Sequence, residues 1–355
     1  MGPLLERGGG DGMSNGEAAR YAIRLDHICS CPDGLRSEAE VGLTDATPGK
    51  SGAETGSALT DVTSGGPGSE TRVGLTDVTP GGTGSRNGPV LTDVTFDIPA
   101  GQWVVVVGRN GSGKSTLLRL IAGLLPYRDG SLEVAGIRVD GERLQEVRSR
   151  VGIVFANPDN QFVGMTVADD IAFGLENRCL SSEDIERRLR HYAQMMEVEH
   201  LLDRHPAYLS GGQKQRAAMT AVLALEPEII LFDEAASMLD ERAKRGWLGM
   251  MRRLRESGKS TLVSVTHDAE EVLAADRVLV LADGQIAADV SPADLFRSEP
   301  LMTACRLQPP YALQVSRALR RRGVDVGDCL TGKELTDALW RLRSNMSLVV
   351  GKDPI

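Results

Sequence analysis

The chain has 355 residues, 41% of them hydrophobic, and a formal net charge of −9. That length and apolar content suffice for one large or two ordinary globular domains, and the acidic balance argues against a general nucleic-acid binder. Five cysteines, at 29, 31, 179, 305 and 329, form no CxxC pair and no zinc spacing and read as free thiols, while every apolar run falls short of the roughly 18 residues a membrane span needs.

Residues 1–20 are polar and glycine-rich and read as a disordered tail, with Met13 as an alternative start. YAIRLDHI, at 21–28, alternates as a strand does, and Pro32-Asp33-Gly34 supplies a turn. A motif then recurs every 16 residues: LTDAT at 43–47 and LTDVT at 59–63, 75–79 and 91–95. Only the last copy continues as a strand-like run, VLTDVTFDIPAG. Residues 35–88 contain no aromatic side chain, so they read as a disordered insertion made by tandem duplication of a strand edge rather than a repeat array with a core.

The stretch VVVVGRNGSGKST, at 104–116, organises the rest of the chain. Gly108, Gly113, Lys114 and Ser115 satisfy GxxxxGK[ST]. In such a loop, here with Asn110, Gly111, Ser112 and Thr116, backbone N–H groups wrap phosphate oxygens while the lysine and hydroxyl serve phosphate and Mg²⁺. A β-run precedes it, and the helical pattern of Leu117, Leu118, Leu120, Ile121 and Leu124 comes directly after, so the phosphates sit at a helix N-terminus.

Beyond it, 131–139 and 151–155 read as strands and 157–161 as a loop. Ser181 to Asp184 opens a helix through Ile185, Leu189, Tyr192 and Met196. A second helix starts after Leu209-Ser210-Gly211-Gly212 and carries 213–225. Strands return at 228–233, 262–266 and 277–281, before the Asp283-Gly284 turn. Strands alternating with helices imply an α/β fold with a mostly parallel sheet covered on both faces. Ser291-Pro292 caps a further helix, and 311–321 and 331–342, the latter opened by the capping box of Thr331 and Glu334, make 291–355 a C-terminal helical module.

A phosphate loop alone serves kinases, GTPases and motors alike. With LSGGQKQR at 209–216 and IILFDE at 229–234 coming after it in order, the chain resembles the ATP-binding cassette (ABC) ATPases. The resemblance implies an ABC-type P-loop ATPase domain over 21–290, with a small antiparallel β-subdomain and a helical signature subdomain at 157–225. It implies that Lys114 bridges the β- and γ-phosphates, that Ser115 and Asp233 hold Mg²⁺, and that Glu234 activates water. His267, closing LVSVTH, would contact the γ-phosphate. In this family the signature loop acts on the nucleotide of the opposite subunit. Ser210, Gly211 and Gly212 would complete the partner's γ-phosphate shell, and Asp240, ending Ser237-Met238-Leu239-Asp240, belongs to a loop linking the two sites.

A narrower resemblance lies in NPDNQFVG at 157–164, the adjoining TVADDIAFGLEN, DEAASMLD at 233–240 and the C-terminal helices. Over 21–34 and 89–345 the chain looks like the ATPase A subunit of energy-coupling factor transporters, close to cobalt-transport ATPases. That likeness implies an ATP- and Mg²⁺-using dimer with a second ABC ATPase subunit, of the same or a related chain. The dimer would sit on a transmembrane coupling protein that works with a substrate-binding membrane subunit for vitamin or metal-ion uptake. The chain would lie peripherally on the cytoplasmic side of the cell membrane, with no nucleic-acid partner, and its 157–164 loop near the groove for the coupling helix. Two alternatives stay open in the sequence: a catalytically weakened regulatory subunit, and a soluble cassette ATPase without a membrane partner.

Three departures from the family pattern stand out. Ala156 replaces the glutamine expected in a pattern like VFQNPDNQ, and its methyl group can neither ligate Mg²⁺ nor orient water. Gln161, five positions on, corresponds to the family's own second glutamine. Cys31 stands where an adenine-stacking aromatic is expected. The repeat insertion falls between the first two strands of the antiparallel subdomain.

Overall fold

The computed structural model describes residues 21–30 and 90–350, with side chains to 344. The tail 1–20, Cys31, the 32–34 turn and the first three copies of the repeat lie outside the described residues. All described residues belong to one compact unit.

Strands β1 (Tyr21–Ser30) and β2 (Leu91–Pro99) pair antiparallel, so the fourth LTDVT is the start of a real strand. Leu91, Val94, Phe96 and Ile98 turn inward on it. Val90 N donates to Ser30 O at 2.9 Å, which brings the two ends of the repeat-bearing segment side by side. The pairing is broken by bulges at His27 and Asp93, with φ of 52° and 55°, whose side chains meet at 2.5 Å.

Strand β3 (Trp103–Val107) is buried at every position, as expected of a central parallel strand covered on both faces. Its side chains alternate between two cores: Trp103, Val105 and Val107 belong to one, Val104 and Val106 to the other. Helix α1 (Lys114–Ile121) begins at the end of the phosphate loop and fills the second core with Leu117, Leu118, Leu120 and Ile121.

The expected strand at 131–139 is two strands, β4 (Asp129–Val134) and β5 (Ile137–Arg138). Ala135 and Gly136, with φ of 51° and 73°, both adopt left-handed backbone and fold the run into a two-residue hairpin. β2, β1, β4 and β5 form a four-stranded antiparallel sheet.

Helix α2 (Leu144–Arg150) leads into β6 (Val151–Val154). The expected 157–161 loop contains a short 3₁₀ turn, Pro158–Asn160, capped by Asn157. Helices α3 (Val167–Glu176), α4 (Ser182–Met195) and α5 (Gly211–Ala224) then pack on one another. Only α4 and α5 are predicted by sequence; α3 is announced by a Thr166/Asp169 capping box that the alternation of strands and helices leaves unnoticed.

The remaining elements are β7 (Ile229–Asp233), α6 (Glu241–Ser257), β8 (Thr261–Val265), α7 (Ala269–Ala274), β9 (Arg277–Ala282) and β10 (Gln285–Val290). After them come α8 (Pro292–Arg297), α9 (Glu299–Cys305), α10 (Tyr311–Arg321) and α11 (Gly332–Val350). The large sheet has the order β10-β9-β3-β8-β7-β6 and is parallel except for β10. No helix among the described residues is long and apolar enough to cross a membrane.

Candidate nucleotide site

Strands β3, β8 and β7 are neighbours in the large sheet and run parallel, so their C-terminal ends open on one edge. The phosphate loop leaves β3, Asp233 ends β7 with Glu234 next to it, and His267 lies two residues past β8. Sheet topology therefore gathers residues separated by more than a hundred positions. In open α/β sheets this edge is where ligands bind.

The loop itself is fixed by close packing. A Cβ on Gly108 would lie 2.1 Å from Leu281 O, and one on Gly113 2.7 Å from Leu91 Cδ2, so neither position accepts a side chain. Gly113 caps α1 with φ of 103°, a left-handed backbone in which glycine carries no steric penalty. Asn110 and Gly111 lie exposed at the loop tip, while Ser112 and Lys114 are buried. Lys114 Nζ donates to Gly108 O at 2.7 Å and to Arg109 O at 3.1 Å, curling its ammonium over the loop. Burial lowers its pKa, opposed by the nearby Glu234 and Asp233 carboxylates. Ser115 and Thr116 form the first turn of α1.

Ser115 Oγ donates to Asp233 Oδ1 at 3.0 Å. Burial raises the Asp233 pKa, and the Ser115 hydrogen bond works against that rise. A hydroxyl and a carboxylate brought together are the hard oxygen donors that suit Mg²⁺, so these residues fit the ion. Glu234, at φ of 51°, is held by its N–H on Val265 O at 3.0 Å. Its Oε1 lies 3.5 Å from His267 Nε2. Burial and the positive charge of Lys114 lower the His267 pKa, which favours a neutral ring. Glu234, Ser237, Thr266, His267 and Asp268 line a cleft of 260 Å³.

The signature residues stand apart from this cluster: among the described residues no hydrogen bond joins Ser210, Gly211 or Gly212 to the phosphate loop. Ser210 caps α5 with a full capping box, its Oγ accepting from Gln213 N at 3.4 Å and its N–H donating to Gln213 Oε1 at 2.9 Å. Ser210 and Gly211 are exposed, and the first-turn N–H groups have no intrahelical acceptor. Behind them, Met238 O lies 3.3 Å from where a Gly212 Cβ would be. Asp240 serves as the N-cap of α6, accepting from Ala243 N at 2.8 Å.

Within the 157–164 and 209–216 motifs, several side chains have positioning roles that the motifs do not spell out. Gln161 Oε1 accepts from Phe155 N at 3.0 Å, and its Nε2 reaches toward Ile153 O at 3.4 Å. Gln215, fully buried, donates to Phe155 O at 3.1 Å. Lys214 Nζ pairs with Asp159 Oδ1 at 2.6 Å. Gln161 and Gln215 brace the backbone just before Ala156, and Lys214 holds the Asp159 side chain after it; sequence spacing alone gives no sign that they meet.

The ABC transporter family model matches residues 91–237, and the model of the energy-coupling factor transporter EcfA1 C-terminal domain matches 310–346. Over 253 residues the chain is 43% identical to the energy-coupling factor transporter ATP-binding protein EcfA1 of Bacillus licheniformis, covering 71% of this chain and 90% of that protein. The chain belongs to the energy-coupling factor transporter ATP-binding proteins.

A second member, EcfA1 of Streptococcus sanguinis, is 44% identical over 253 residues, with 71% of this chain and 91% of the relative covered. The family makes this chain an ABC ATPase that binds ATP. Its fold is shared with cbiO1 of Clostridium perfringens, part of the ABC transporter complex cbiONQ, at a TM-score of 0.60 and 22% identity over 86% of this chain and 98% of that one. A dimeric ATP-binding cassette holding ADP and Pi after hydrolysis superposes with a TM-score of 0.57, at 23% identity over 76% of this chain and 98% of that one.

Proposed function

We propose that this ATPase powers an importer of the energy-coupling factor type, lying peripherally on the membrane and working as a dimer with a second ATPase chain beside transmembrane subunits. The observation that carries the reading is the joining of Ser115 to Asp233 and the approach of Glu234 to His267 at the mouth of the phosphate loop. Lys114, released from the loop carbonyls, neutralises the β- and γ-phosphates. Ser115 and Asp233 would hold Mg²⁺, which supplies charge neutralisation at the transferring phosphoryl group. Glu234 accepts the proton of the attacking water, and the neutral His267 ring donates its single N–H to the γ-phosphate. Ser210, Gly211 and Gly212 present a helix N-terminus to the partner's γ-phosphate.

The exposed Val163, within the 157–164 loop, and Met165 and Phe173 after it supply apolar surface on which a membrane subunit would rest. A second reading, slow turnover at this chain's own nucleotide, rests on Ala156, because Gln161 faces β6 and does not replace the missing ligand. Purification of the tagged chain from membranes tests the main reading. Transmembrane chains and a second ATPase should co-purify, and ATP hydrolysis at this chain's own nucleotide, measured with the second ATPase inactivated at its catalytic carboxylate, should vanish in Glu234→Gln. Recovery of the chain alone, with ATPase activity that survives that substitution, would overturn it.

A further inference from the structure

The loop after β6 is tied to only one of the two places where such a loop can act. At the position where the family pattern has its metal-facing glutamine stands Ala156, a methyl group, and Gln161 is turned back onto Phe155 and Ile153. Toward the signature helix it is fastened twice. Asp159, on the 3₁₀ turn, pairs with Lys214 at 2.6 Å, the lysine side chain 18% exposed and the aspartate 60%. Four residues from Asp159, Phe155 O accepts from the fully buried Gln215 at 3.1 Å. Lys214 and Gln215 sit in the second turn of α5, directly behind Ser210, Gly211 and Gly212. The same loop runs into the exposed Val163 and Met165, and the Val163 and Gly164 N–H groups donate to Asp170 Oδ1 of α3, a helix that itself packs on α5.

We infer that Asp159 and Lys214 are positioning residues that pass movement of the 157–164 loop to this chain's signature helix, and so to the partner's nucleotide rather than to its own. The inference rests on the proposed dimer with shared sites. The half-exposed pair is joined by a charge-assisted hydrogen bond and backed by the fully buried Gln215 bond to Phe155 O, and a helix moves as a body, so displacement of Lys214 displaces Ser210. A residue acting on this chain's own metal would need a polar group at 156, which is absent.

The test uses the assembled membrane complex in two arrangements. In one, this chain carries Glu234→Gln, leaving turnover at the partner's nucleotide. In the other, the partner's catalytic carboxylate is replaced by an amide, leaving turnover at this chain's nucleotide. Asp159→Lys and Lys214→Asp are introduced singly and together into this chain. Each single change should lower ATPase rate in the first arrangement by about 3- to 30-fold and leave the second within about twofold. The double exchange should restore the first. Equal loss in both arrangements, loss confined to the second, or no recovery in the double exchange overturns the inference. If the complex without these exchanges hydrolyses no ATP, the dimer reading itself fails, and the inference with it.

Discussion

Ser115 and Asp233, 118 positions apart, are joined by a 3.0 Å hydrogen bond from hydroxyl to carboxylate. The bond ties the start of α1 to the end of β7, and both oxygens face the same edge of the sheet. With Ser115→Ala the carboxylate loses its stabilising donor, and the donor pair loses one oxygen. ATP affinity measured with and without Mg²⁺ should then show the metal's contribution reduced by about tenfold or more. Equal stimulation by Mg²⁺ in Ser115→Ala and the unaltered chain would remove these two oxygens from the metal site.

Ala156→Gln restores an amide at the end of β6. Gln161 and Gln215 already hold the Phe155 backbone beside it, and Lys214 pairs with the Asp159 carboxylate three residues on, so the new side chain meets a loop whose course is fixed. ATPase activity of the assembled complex should rise several-fold, about 1 kcal/mol in barrier. If the rate does not rise, the missing glutamine is not what limits turnover.

The adenine edge gives a third expectation. Residue 31 lies outside the described residues, yet it directly succeeds β1, whose last residue, Ser30, accepts from Val90 N. Val90 O in turn lies 3.2 Å from where a Gly113 Cβ would be, so the chain enters this segment beside the phosphate loop. Cys31→Tyr should tighten ATP binding by about 1–3 kcal/mol through base stacking. Titration with a fluorescent ATP analogue decides it, and unchanged affinity counts against a stacking role for position 31.

Much of this site is legible in the sequence because its residues are local in motif and fixed in spacing. GRNGSGKST, LSGGQKQR and LFDE each carry their own turn or strand end. The side chains that brace them are harder to see. Gln161 and Gln215 meet on the backbone of Phe155 only because α5 packs against the 3₁₀ turn, and no periodicity announces a long-range hydrogen bond. Helix α6 illustrates a different miss. Asp240 reads as part of a functional loop, yet its carboxylate also caps a helix whose Trp247, Met250 and Met251 are buried at helical spacing. The split at Ala135-Gly136 is open to a sequence reading, since glycine inside a strand pattern marks a turn or bulge.

Glu271 provides the last expectation. It stands in the first turn of α7, four residues after His267, and is 5% exposed. Burial pushes its carboxyl up to about 7 from the ordinary 4.5, with the Ser264 and Thr266 hydroxyls acting in the opposite sense. Between those values the folded chain keeps a proton that the unfolded chain has released, so stability falls as pH rises through this window. Below the unfolded value both states are protonated and the effect vanishes; above the folded value it is complete, at about 3 kcal/mol. Glu271→Gln is neutral throughout and keeps an amide oxygen for the two hydroxyls. Calorimetric melting should therefore place Glu271→Gln above the unaltered chain at pH 8, by about 5 °C or more. At pH 5 the gap should shrink to roughly a quarter of that value. A gap of the same size at both pH values would mean that the amide acts through packing, and that burial of an ionising carboxyl does not limit stability beside the histidine strand.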